Sequence, residues 1–147
     1  MLSYVGWIYG ISAFSTLLFG ILFGIYLILE AYKSESKILT YFGLFVLFSG
    51  LSFLGNTLDF VFIVFVGENL DYGINLVGIL GNMWIGPIVV TGLYIATKLI
   101  MKKPNWYIIG IYLGLLIIFE FLIIFDPFNS IYYENIESGE GLLRVYV

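Results

Sequence analysis

A chain of 147 residues that is 61% hydrophobic and 11% charged, with a mean hydropathy of +1.05, lies well outside the soluble range, where about a quarter of residues carry charge. Its ten acidic and six basic residues give a net charge of -4 and fall in short clusters between long uncharged runs, so the clusters mark loops. With no cysteine and no histidine, disulfides, thiolate nucleophiles, sulfur-ligated metals and imidazole general bases are excluded.

The hydrocarbon core of a bilayer is about 30 Å thick and takes about 20 apolar residues of helix to cross, because backbone amides in lipid must bond within their own segment. Four runs meet this requirement. The first, Val5 to Leu29, has no charge until Glu30. No Lys or Arg precedes it and no A-x-A-like site follows it, so it reads as a retained span rather than a signal peptide. Tyr4, Trp7 and Tyr9 at its start suit an interfacial aromatic belt. The second run, Ile38 to Val66, is interrupted only by Asp59, and the third, Ile74 to Met101, is uncharged until Lys98. Within the third, Gly86 and Pro87 mark a candidate hinge, since proline removes a backbone bond. The fourth, Trp106 to Phe125, carries only Glu120 and opens on another aromatic pair, Trp106 and Tyr107.

These runs predict an all-α integral membrane fold, a four-helix transmembrane bundle over residues 1–125 with a short extracytoplasmic tail over 126–147. Lys33 and Lys37 lie in the first turn and Lys98, Lys102 and Lys103 in the third, whereas the second turn is acidic, with Glu68 and Asp71. Positive loops stay cytoplasmic, which predicts both termini outside the cell membrane. In the tail, D-P-F-N breaks the helix, S-G-E-G signals a turn and Leu142 to Val147 has strand bias. No partner strand is evident, so the tail is expected to pack on the bundle, pair with another molecule or continue into a longer polypeptide. Gly6 and Gly10, Gly20 and Gly24, and Gly110 and Gly114 are small-xxx-small pairs, which suggests tight packing of the first and fourth helices.

A polar side chain inside a span costs roughly 2–3 kcal/mol or more unless it faces protein, water or a partner. Asn56 and Asp59 share a helical face on the second span, Asn82 lies on the third and Glu120 on the fourth, all at depths in the outer half. They form a candidate polar pocket for a cation or a small polar ligand. The competing reading makes them interhelical glue or headgroup-level residues. No catalytic set, phosphate loop or metal signature is present, so the expectation is a non-enzyme with no cofactor and no metal.

The second span, Y-F-G-L-F-V-L-F-S-G-L-S-F-L-G-N-T-L-D-F, and the third, with N-M-W-I-G-P-I-V-V-T-G-L-Y before basic residues, carry a resemblance to two groups. The chain resembles uncharacterised multi-pass membrane proteins of archaea, and more remotely the first four helices of the seven-helix N-terminal sensor region of membrane histidine kinases. The resemblance implies a sensory role; helices five to seven, a kinase domain and a phosphoacceptor histidine have no counterpart here.

The expected function is a membrane sensory or ligand-binding module. A transporter or ion-pathway subunit is one alternative; a structural subunit or N-terminal fragment of a longer membrane protein is another. The expected partners are the lipid bilayer and a second copy or another membrane subunit, with no nucleic acid.

Overall fold

The computed structural model describes residues 4–67, 69–70, 76–101 and 106–126, and two strands in the tail, 132–135 and 143–146. It contains four helical segments long and apolar enough to cross a membrane: Tyr4–Lys33, Lys37–Val66, Leu76–Ile100 and Trp106–Phe125. Large apolar side chains such as Phe19, Ile100 and Ile117 are more than 60% exposed, a surface compatible with lipid rather than water.

The first segment is one unbroken helix, α1 (Tyr4–Lys33). Its buried positions include Gly6, Gly10, Ala13, Leu17, Gly20 and Gly24, a three-and-four spacing that lines small residues along one seam. A Cβ on Gly20 would run into the Cα of Gly50, one on Gly24 would lie 2.7 Å from the Leu47 Cβ, and one on Gly10 would enter the Phe60 ring. Trp7 meets that ring edge-on at 5.5 Å. The helix closes with Glu35 at φ 51° and a bond from the Ser36 N–H to the Ala31 carbonyl at 3.1 Å. Ser36 then caps the next helix by accepting from the Leu39 N–H.

The second and third apolar runs are not single helices. The second divides into α2 (Lys37–Leu51) and α3 (Leu54–Val66), where the Phe53 N–H reaches only three residues back, to the Gly50 carbonyl. Gly67, at φ 85°, ends α3 in the left-handed region. The third divides into α4 (Leu76–Asn82) and α5 (Ile85–Met101), with the break at Met83–Trp84. Pro87 has no N–H to offer the Met83 carbonyl four residues back, so the expected disruption falls one turn before the proline itself. The fourth segment is α6 (Trp106–Phe125), as its apolar run predicts.

Packing follows chain order. α1 lies on α2 and α3, α2 on α5, α3 on α4, and α6 mainly on α5. The expectation of tight glycine packing holds for α1 and fails for α6, where a Cβ on Gly110 or Gly114 would meet nothing within 4 Å. The basic turn at Lys102 and Lys103 and the acidic residues Glu68 and Asp71 lie outside the described residues. The tail needs a correction. Its strand finds a partner within the chain, because β1 (Tyr132–Asn135) pairs antiparallel with β2 (Leu143–Tyr146), Tyr132 opposite Tyr146. The aromatic pair in Y-Y-E-N supplies the β bias that makes this partner.

The α1 seam makes a direct prediction. Gly20→Ala or Gly50→Ala is expected to lower unfolding stability in detergent by about 1–3 kcal/mol through overpacking, whereas Gly110→Ala stays within about 0.5 kcal/mol of the parent. Equal effects at the seam and at Gly110 would show that the close approach contributes nothing.

Candidate functional site

The structure places the four sequence-predicted polar residues in three settings. Asp59, only 1% exposed, faces the loop after α3. There its carboxylate accepts from the Leu70 N–H at 2.8 Å and from the Asn69 side-chain amide at 3.3–3.4 Å. The loop backbone at Leu70 therefore finds inside the fold the acceptor that water would otherwise supply. Asp59 is a latch for this loop.

Glu120 reaches from α6 to the start of α5, where its Oε1 accepts from the Gly86 N–H at 3.2 Å. The first N–H groups of any helix lack intrahelical partners, and those of α5 begin inside an apolar segment. Glu120 supplies an acceptor to one of them, and a negative group at a helix N-terminus is also favoured by the helix dipole. The candidate hinge and one candidate pocket residue are thus joined by one hydrogen bond. Gly86 is buried against this carboxylate; a Cβ there would lie 2.9 Å from Oε1.

Asn56 and Asn82 are brought together. Both line a cavity of about 280 Å³ with Ser52, Phe53, Val77, Gly81, Ile85 and Ile88. The cavity exists because two breaks sit side by side: Ser52–Phe53 ends α2 and Met83–Trp84 ends α4. Below the breaks α3 and α4 touch through backbone, since a Cβ on Gly55 would strike the Val77 carbonyl and one on Gly81 would lie 3.3 Å from the Ser52 carbonyl. The Asn82 amide donates to the Gly78 carbonyl four residues back at 2.9 Å, which turns its oxygen into the remaining acceptor. The side chain of Asn56, half-buried, makes no hydrogen bond among the described residues. Among the described residues, two buried side-chain atoms lack a partner, Trp84 Nε1 at the α4–α5 break and Thr57 Oγ1 within α3.

Sequence reasoning missed Ser52 and Gly81 as cavity residues, although Ser52 lies four residues before Asn56 and so shares its helical face. It also missed Asn69, whose role depends on a loop that folds back. Among the described residues no group of three carboxylates could hold a metal ion. No family model, curated protein or solved structure matches this chain.

The latch is testable. Asp59→Ala should speed amide exchange at Asn69 and Leu70 and lower stability by about 1–3 kcal/mol, while Asp59→Asn, which keeps an acceptor for the Leu70 N–H, recovers most of the loss. Unchanged exchange at Leu70 in Asp59→Ala would remove this role.

Proposed function

We propose that the chain is a multi-pass cell-membrane protein, both termini outside, that binds a small neutral polar ligand between its second and third spans and serves a sensory role. The observation that carries the reading is the unpartnered amide of Asn56 in a cavity at two adjoining helix breaks. Irregular backbone at membrane depth is tolerated where it lines a cavity, and broken helices are a recurring way of building ligand sites there. Asn56, Asn82 and Ser52 offer amide and hydroxyl groups without a formal charge, which suits a neutral polar solute. At ~30 Å³ per water, the cavity holds about nine waters' volume, a small-molecule scale.

Toward the end that carries Lys33 and Lys37, the α2–α5 contact is filled by rings. Tyr41 lies 3.9 Å from Tyr94 between ring centroids, Phe48 stacks on Trp84 at 5.9 Å, and Phe45 covers Gly92. This arrangement favours a site closed at one end over a continuous path, and so favours binding over the transporter reading.

A version with Trp7→Phe and Trp106→Phe leaves Trp84 as the single tryptophan, stacked beside the cavity. Titration of the reconstituted protein with urea, acetamide, glycerol and glycine is expected to give a saturable change in Trp84 emission for at least one solute. Asn56→Leu with Asn82→Leu should weaken it about tenfold or more, since each lost bond in a dry site leaves a polar group unpaired. No saturable response, or one unaffected by the double substitution, would overturn the proposal.

A further inference from the structure

A second cavity, of about 520 Å³, opens between α5 and α6. Its walls are almost wholly apolar, among them Pro87, Val90, Leu113, Ile117 and Phe121, and Glu120 is the ionisable residue among its lining. Leu113, Ile117 and Phe121 are 41–61% exposed, so the groove faces sideways into whatever surrounds the helices. Glu120 uses Oε1 for the Gly86 N–H, and its other oxygen has no partner among the described residues.

From this geometry we infer that the groove is a binding site for a lipophilic amine, a hydrocarbon chain carrying a protonated nitrogen. The volume falls in the range of small-molecule sites, and an apolar groove with one oriented polar group is the usual composition of such a site. The hydrocarbon walls match the tail, which enters laterally from the bilayer. The head is selected by charge. An acidic group amid apolar walls is costly unless paired, and an ammonium supplies both an opposite charge and hydrogen-bond donors to the open oxygen. An alcohol supplies a donor without the charge, and a fatty acid brings a second acidic group, which the site disfavours. The Gly86 N–H keeps one oxygen fixed, so the carboxylate meets the ligand already oriented.

The test uses the full chain in nanodiscs of neutral phospholipid, with dodecylamine competing against a fluorescent alkylamine and empty discs as the partition control. We expect one saturable amine site per chain, with dodecanol and dodecanoate competing at least about tenfold more weakly. Glu120→Gln, whose amide oxygen still accepts from Gly86, should weaken amine binding by about the same factor, and Leu113→Trp, which fills the groove and leaves Glu120 intact, should abolish it. Absence of a saturable component, equal competition by the alcohol, or wild-type binding in either variant would overturn the inference. So would an intermolecular disulfide in the otherwise cysteine-free Leu113→Cys protein, because a second copy would then cover the groove.

Discussion

A backbone N–H that loses its helical partner needs another acceptor, and this requirement bears on each place where the chain leaves a helix. At some of these places the acceptor is a nearby carbonyl of the same segment, as Gly50 is for the Phe53 N–H, and at others it comes from elsewhere in the protein. Two carboxylates, Asp59 and Glu120, answer it. The first receives the Leu70 N–H where the chain leaves α3, and the second receives the Gly86 N–H where α5 begins. Both act across elements rather than within one helix. The loop is therefore tied to α3, and α6 is tied to the broken third segment.

The α4–α5 break has a second consequence, because α5 begins between two cavities of opposite character. Ile85 and Ile88 face the polar cavity, while Gly86, Pro87 and Val90 face the apolar groove. The first two turns of α5 thus contribute to a wall of each. The close Gly20–Gly50 seam joins α1 to α2, and among the described residues α1 contributes no wall to the polar cavity.

How much of this is legible in the residues follows from what each feature needs. Four apolar runs are legible because a crossing demands length and composition, both of which the sequence displays. The break near Pro87 is legible in kind, though its place at Met83–Trp84 depends on which carbonyl loses its donor. The break at Ser52–Phe53 carries neither proline nor a glycine at its turn and is invisible without the structure. The four polar residues are legible as exceptions to an apolar rule, but not their division into three settings. Depth alone places Asp59, Asn82 and Glu120 alike. What separates them is partners, and the partners of both carboxylates include backbone N–H groups, which every residue but proline carries and no motif announces. The tail hairpin is half legible, since the bias of Leu142 to Val147 is clear and that of Y-Y-E-N is weaker.

The partners also decide which exceptions are structural. Asp59 accepts from the Leu70 N–H and the Asn69 amide, and Glu120 accepts from the Gly86 N–H through one of its two oxygens. The side chain of Asn56, half-buried, has no partner among the described residues, while Thr57 Oγ1 and Trp84 Nε1 are buried without one. Buried polar groups left unsatisfied cost about 1–3 kcal/mol each, and native proteins concentrate such departures where a site requires them. Among the described residues, Asn56 lies in the polar cavity and Trp84 at the α4–α5 break, whereas Thr57 lies within α3 and the second oxygen of Glu120 on α6. On the proposed function, the space between the second and third segments is where a ligand would complete the hydrogen bonding that the Asn56 amide leaves open.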